Sequence, residues 1–278
     1  MIIGPVAGCE CRQQPGHGDG NPRPANGFTK RRRHNVGMAI TSVLSLAVAQ
    51  PVTISHDVVA NVGAHSAIVE AAEADLVVFP ELSLTGYHFD AEPIPADDPR
   101  LWPLVDACRR SRTTALVGAP VADGELRHIA VLAVDPGGAS VVYRKMYLGD
   151  DEVAHFAPGP GPSALDVNGW RIGLAVCKDT GVEAQVAATA ALGIDVYAAG
   201  ALEHAADADV QPFRARRIID AHRVWVALAC FAGSTGEGFA SASGGSSIWR
   251  PDGSQAASAG PEPGAIARFE LLPDPSGL

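Results

Sequence analysis

Trp170-Arg171-Ile172-Gly173-Leu174-Ala175-Val176-Cys177-Lys178-Asp179 is an apolar run closed by a cysteine and two charges. The run from Trp170 to Val176 predicts a buried β-strand, so the thiol stands at a strand end, where clefts form. Two upstream segments carry the charges such a thiol needs. One is Val77-Val78-Phe79-Pro80-Glu81-Leu82-Ser83-Leu84-Thr85-Gly86-Tyr87; the other is Val142-Tyr143-Arg144-Lys145-Met146-Tyr147-Leu148, with Glu152 shortly after. A free thiol is mostly protonated at neutral pH and becomes an effective nucleophile beside a base or a cation. Glu81 is suited to accept the thiol proton and later to activate water. Lys145 is suited to stabilise a tetrahedral oxyanion, a role worth about 3 kcal/mol per donor. A cation there is also expected to favour the ionised forms of Glu81 and Cys177. Brought together, the three groups can attack an amide carbonyl.

Strand and helix signals alternate on both sides of this run. Strands are predicted over 43–49, 75–79, 114–117, 129–134, 139–143, 194–199, 224–230, 245–249 and 265–271. Helices are predicted over 56–74, 101–111, 182–192 and 212–222, the first from Val58, Val62, Val69 and Ala72 at helical spacing. Asp135-Pro136-Gly137-Gly138 punctuates a hairpin. Helices interleaved with crossover and hairpin strands predict a layered α/β sandwich in one domain, residues 38–278. Residues 1–37 are rich in Gly, Pro, Arg and Asn without apolar periodicity and read as a disordered extension.

With 47% apolar and 19% charged residues, the 278-residue chain has the composition of a globular protein. A net charge of -10 argues against nucleic-acid binding, which needs a basic face. The five cysteines, Cys9, Cys11, Cys108, Cys177 and Cys230, form no paired framework, which fits a reducing compartment. Cys9 and Cys11 with His17 do not match a zinc spacing, so no metal is expected. Lys30-Arg31-Arg32-Arg33, the apolar stretch to Ala49 and Ala47-Val48-Ala49 imitate a secretory signal. Thr41, Ser42 and Ser45 interrupt that stretch, and it reads better as a first core strand in a cytoplasmic protein that makes no membrane contact.

The charged segments resemble the three signature blocks of the nitrilase superfamily, the carbon-nitrogen hydrolases. Phe79-Pro80-Glu81-Leu82 with Thr85-Gly86-Tyr87 resembles the block of the general-base Glu, Tyr143-Arg144-Lys145 that of the Lys, and Gly173 to Asp179 that of the nucleophile. Glu152 in Glu152-Val153-Ala154-His155-Phe156-Ala157-Pro158-Gly159 resembles the segment of a second Glu. Arg214-Ala215-Arg216, Gly245-Ser246-Ser247-Ile248 and Pro251-Asp252-Gly253 resemble the closing pattern, so the likeness spans residues 41 to 271. It implies a four-layer αββα sandwich, a homodimer, and a Glu81-Lys145-Cys177 triad with Glu152 positioning Lys145 or the substrate. It also implies a covalent thioester, a second oxyanion donor in the Lys178 N–H, a small-molecule amide substrate and no cofactor.

Departures bear on the substrate. Cys177-Lys178-Asp179-Thr180-Gly181-Val182-Glu183 lacks the Arg that binds a substrate carboxylate in some relatives, a role Lys178 can take over, and lacks the Cys-Trp-Glu of nitrilases. A small linear amide is therefore favoured over a carbamoyl compound or a nitrile, and a non-catalytic binding protein or a Cys-His hydrolase of another fold is the remaining alternative. Tyr87, His155, Phe156 and Phe239 are candidates either to line the substrate pocket or to pack the core. Asp179 is expected to cap the helix after Cys177, and Cys108 and Cys230 to be packing residues.

Overall fold

The computed structural model describes residues 42–273. Period-two alternation sets its layers. In β1 (Leu44–Ala49), Leu44, Leu46 and Val48 enter one apolar cluster while Ala47 and Ala49 enter another. In β2 (Leu76–Val78), Leu76 and Val78 go to the first cluster and Val77 to the second. The same split runs through β7 (Trp170–Val176), β8 (Val196–Ala201) and β9 (Trp225–Cys230), where Ile172, Leu174, Val196 and Ala227 join the first cluster and Ala175, Tyr197 and Leu228 a third. The shared cluster is the seam between two sheets, and each of the others lies between a sheet and its helices.

One six-stranded sheet has the order β14-β1-β2-β3-β4-β5, with β3 at Thr114–Asp123, β4 at Leu126–Asp135, β5 at Gly138–Arg144 and β14 at Ile266–Leu271. The other has the order β13-β12-β9-β8-β7-β6, with β6 at Ala164–Val167, β12 at Ser247–Trp249 and β13 at Gln255–Ser258. β10 (Ala232–Gly233) and β11 (Ala242–Ser243) form a small separate pair. Each large sheet has a parallel centre, β1-β2-β3 in one and β7-β8-β9 in the other, flanked by antiparallel strands. α1 (Val58–Ala72) and α2 (Trp102–Ser111) supply Val62, Val69 and Leu104 to the second cluster; α4 (Val210–His222) and α3 (Glu183–Ala190) supply Ile218, Ile219 and Val186 to the third. The result is the expected αββα sandwich.

Local chemistry trims the elements. The expected helix over 56–74 begins after Asp57, whose carboxylate accepts the Ala60 N–H at 2.9 Å, and ends where Glu73 turns left-handed at φ 47°. The strand expected over 114–117 runs on to Asp123 and pairs with β4 throughout. Pro120 lies inside that extension and donates nothing to a ladder. It is tolerated because β2 pairs with β3 only as far as Leu116, beyond which loop residues cover that side. β6, β13 and the β10–β11 pair were not anticipated, being short and only partly buried. Among the described residues, no helix is long and apolar enough to cross a membrane. The readings of residues 1–37, the Cys9, Cys11 and His17 grouping included, lie outside the described residues.

Candidate active site

Glu81 lies three residues beyond the last residue of β2, in a loop where Leu82 takes a left-handed φ of 50°. Two glycines let this loop sit between the sheets. A Cβ on Gly118 of β3 would overlap backbone atoms of Pro80, Glu81 and Leu82. A Cβ on Gly200 of β8 would lie 2.6 Å from the Phe79 carbonyl oxygen and 2.8 Å from the Glu81 nitrogen. Gly200 is also the register partner of Val176, the residue before Cys177. One glycine thus brings the nucleophile strand against the carboxylate loop.

Lys145 directly follows β5; its N–H donates to the Ile129 carbonyl at 2.8 Å and its carbonyl accepts from the Gly159 N–H at 2.7 Å. Its ammonium is 1% exposed and donates to Glu81 Oε1 at 2.6 Å and to Glu152 Oε1 at 2.7 Å. Glu152 opens a short 3-10 turn, Glu152–Ala154. It accepts further hydrogen bonds from the Tyr87 hydroxyl at 2.6 Å and from the Gly149 N–H at 2.5 Å.

Cys177 follows β7 with φ 43°, the left-handed region that side chains rarely enter, and starts a 3-10 turn, Cys177–Gly181. Its thiol donates to the Leu202 carbonyl at 3.3 Å. Asp179 caps the 3-10 turn that Cys177 opens, through the Val176 N–H, and leaves α3 without a side-chain cap. Its buried carboxylate accepts from the Val176 N–H at 3.0 Å, the Tyr147 N–H at 2.9 Å and the Tyr143 hydroxyl at 2.8 Å. It therefore ties the cysteine turn to the segment that carries Lys145. The Cys177 carbonyl accepts from Thr180 Oγ1 at 2.6 Å and from Arg214 Nη1 at 3.4 Å. Because the peptide is planar and trans, the Lys178 N–H points the opposite way.

Charge behaviour departs from the expectation that Lys145 would ionise its neighbours. Burial dominates at Glu81 and, with the charge of Glu152, raises its pKa to about 8 against the pull of Lys145. Burial and the charge of Glu81 likewise hold the Cys177 thiol well above its ordinary value. Burial opposes the charge of Lys145, but the pull of Glu81, then of Cys177 and Glu152, holds it above its usual value; burial opposes the charge of Glu152 too, but Lys145 and the hydrogen bonds from Lys145, Tyr87 and Gly149 leave it below. Lys145 thus stays charged between two carboxylates, of which Glu152 holds its charge more firmly than Glu81. Glu81 Oε2 is buried with no direct hydrogen bond among the described residues, and the Cys177 thiol is close enough to stabilise that carboxylate.

The remaining candidates divide. Tyr87 is in the site through Glu152, and Phe239 meets its ring edge-on at 5.4 Å while stacking on His204 at 4.0 Å. Lys178 is turned outward by the 3-10 turn and pairs with exposed Asp150 at 2.9 Å. Phe156 is packed in the seam, edge-on to Phe89 and under the Arg127 guanidinium. His155 is exposed and lies over Phe89 at 5.1 Å. Cys108 and Cys230 are buried, and burial pushes both thiols up to about 12. Gly118, Gly200 and the Leu202 carbonyl were missed. A glycine inside each of two apolar strands, in Val117-Gly118-Ala119 and Ala199-Gly200-Ala201, was the available signal.

The sequence model of one family, described as carbon-nitrogen hydrolase, matches residues 45–270. A Pseudomonas protegens protein described as a hydrolase in the pqqF 5′ region is 32% identical over 209 residues, covering 70% of this chain and 71% of that one. An (R)-stereoselective amidase of a Pseudomonas species is 33% identical over 131 residues, 45% of this chain and 47% of the amidase. The NitN amidase of Nesterenkonia sp. AN1 superposes with a TM-score of 0.71 at 26% identity, covering 82% of this chain and 93% of the amidase.

Proposed function

The chain belongs to the carbon-nitrogen hydrolase family, as an amidase-like member of the nitrilase superfamily, and on that premise we propose that it hydrolyses a small linear amide through a Cys177 thioester. The observation that carries this reading is the fully buried Lys145 ammonium held between Glu81 and Glu152 at 2.6 and 2.7 Å, with the second Glu81 oxygen left free near the thiol.

In the first half-reaction the Cys177 sulfur bonds to the amide carbonyl carbon as its proton passes to Glu81. Lys145 has three N–H donors. Two are spent on the carboxylates, and the third is available to the new oxyanion. The Lys178 N–H joins it, as the first amides of a helical turn have no partner within the turn. Glu81 returns the proton to nitrogen, the C–N bond breaks, and ammonia or an amine leaves the thioester. In the second half, Glu81 takes a proton from water as the oxygen attacks the acyl carbon, the C–S bond breaks while Glu81 returns that proton to sulfur, and the carboxylic acid leaves. A carboxyl with its pKa near 8 can both take and return a proton near neutral pH. On this reading Glu152 holds the Lys145 ammonium in place, Tyr87 and Phe239 face the substrate, and the enzyme acts without a cofactor as a cytoplasmic homodimer.

Ammonia release from primary amides, N-carbamoyl amino acids and nitriles tests the proposal. Release from amides by the parent, and none by Cys177→Ala with an unchanged circular dichroism spectrum, is expected. Ammonia accompanied by carbon dioxide, or ammonia from nitriles alone, would reassign the substrate class. Silence across the panel, with Cys177 no more reactive than Cys108 toward an alkylating probe, would overturn the enzyme reading.

A further inference from the structure

At the outer side of the Glu81 loop, His56, His88 and Asp90 each offer a ligand atom, all within 4.8 Å of one another. We propose that these three side chains form a binding site for a divalent transition-metal ion of the Zn2+ class. The donor set, two imidazoles and one carboxylate, suits such an ion better than Ca2+ or Mg2+, which prefer all-oxygen shells.

The two histidines have independent backbone anchors. His56 sits at φ 60° just before Asp57, the N-cap of α1, and its N–H donates to the Thr85 carbonyl at 2.8 Å. His88 is held by its N–H to the Gly86 carbonyl at 2.9 Å, and its ring lies so close to Gly236 that a Cβ there would meet Nδ1 and Cε1 at 2.5 Å. The two imidazole rings lie 4.2 Å apart, and His56 Nε2 already meets Asp90 Oδ1 at 2.9 Å. Ser55 Oγ, 2.8 Å from His88 Nε2, adds an oxygen at the same rim.

Two carboxylates, Asp90 and Glu237, stand at this rim, and neither makes an ion pair with Lys or Arg among the described residues. Metal–nitrogen bonds of about 2.0 Å place tetrahedral ligand atoms roughly 3.3 Å apart. The required closure is small for His56 and Asp90, whose side chains are 46% and 81% exposed. The bound ion would join the start of α1 to the segment 86–90. That segment is already tied to the 235–239 loop through the Tyr87 N–H on Thr235 Oγ1 at 2.9 Å and the Phe89 N–H on Glu237 Oε1 at 3.2 Å. The ion therefore bears on the rim of the active site without entering it.

The test uses the full chain carrying Cys9→Ser, Cys11→Ser and Cys177→Ala, which removes the thiols able to compete for metal. Isothermal titration with Zn2+ and the visible spectrum of added Co2+ are the readouts. One equivalent of Zn2+ is expected, with Co2+ bands free of thiolate charge transfer and a Zn2+-dependent rise in melting temperature. His56→Asn with His88→Gln should weaken binding by about tenfold or more, since losing a ligand costs no less than losing its outer partner. Asn is chosen at position 56 because it tolerates the left-handed backbone. Asp90→Asn, at an exposed position, should weaken binding without disturbing the fold. Undiminished one-equivalent binding in the double variant would overturn the proposal, as would no measurable Zn2+ binding by the parent at 100 μM, on the order of the weakest affinity that qualifies as a site.

Discussion

The loop bearing Glu81 and the turn bearing Cys177 leave central parallel strands of opposite sheets, each through a left-handed residue, Leu82 at φ 50° and Cys177 at φ 43°. They are secured by different means. The Glu81 loop is clamped by backbone, with Gly118 and Gly200 admitting its main chain from the two sheets. The Cys177 turn is secured by side chains: Asp179 holds Val176 and Tyr147, and Thr180 and Arg214 hold the Cys177 carbonyl. A backbone clamp fixes a carboxylate that must stay at one depth to keep its raised pKa. A hydrogen-bonded turn fixes a peptide whose N–H must point at a developing charge.

The largest expected effect is at the clamped end. Glu81→Gln should keep the fold and the Lys145 hydrogen bond while lowering kcat/KM about 10²- to 10⁴-fold, measured on whichever amide the parent turns over. Gly200→Ala comes next. Its methyl group meets backbone that cannot rotate away, so a loss of about 3 kcal/mol in denaturant unfolding is expected, with activity falling in parallel. At the cysteine end, Asp179→Asn replaces one acceptor oxygen with a donor that faces existing donors. About 2 kcal/mol of stability and a fall in kcat larger than the change in KM should result.

The pH profile sharpens the comparison further. Glu81 is active as base only when ionised, so kcat/KM should rise with pH through a limb near 8. Glu152→Gln removes a negative charge that raises Glu81, and should move that limb to lower pH. An unmoved limb would mean that Glu81 is not the titrating group. Stability follows the opposite sign. A carboxyl whose folded pKa lies above its unfolded value favours the folded state below about 4.5, and that contribution is lost as pH rises through about 8. The smallest effect belongs to Gly181→Ala, whose methyl group meets the movable end of Arg214 at 2.9 Å. A change within about 0.5 kcal/mol is expected by thermal melting, against the large loss at Gly200.

Much of the site was legible because its chemistry is local in sequence. Glu81, Lys145 and Cys177 each stand just past an apolar run, and a strand end is where a side chain escapes the pleat into a cleft. Glu152 was legible only through the resemblance of residues 152–159 to the segment of the family's second Glu. Asp179 was legible in part: its bond to the Val176 N–H caps the turn after Cys177, whereas its other partners, Tyr143 and Tyr147, lie more than thirty residues away in the chain. The pairing of Lys178 with Asp150 was not legible, because it brings together two segments twenty-eight residues apart in the chain. The ionisation of Glu81 was misread because charge proximity can be inferred from residue types, while complete burial cannot.

The sequence alone determined the period-two and helical patterning, and with it the layers and the order in which thiol, ammonium and carboxylates arrive at strand ends. Patterning is a short-range property, written in residues a few positions apart. Only the tertiary structure decided that Gly118 and Gly200 clamp the Glu81 loop, that Lys145 is shared by two carboxylates, and that burial outweighs the nearby positive charge at Glu81 and Cys177. Those outcomes arise where two sheets meet. Desolvation and close backbone approach depend on everything packed around a group, and no stretch of sequence contains that on its own.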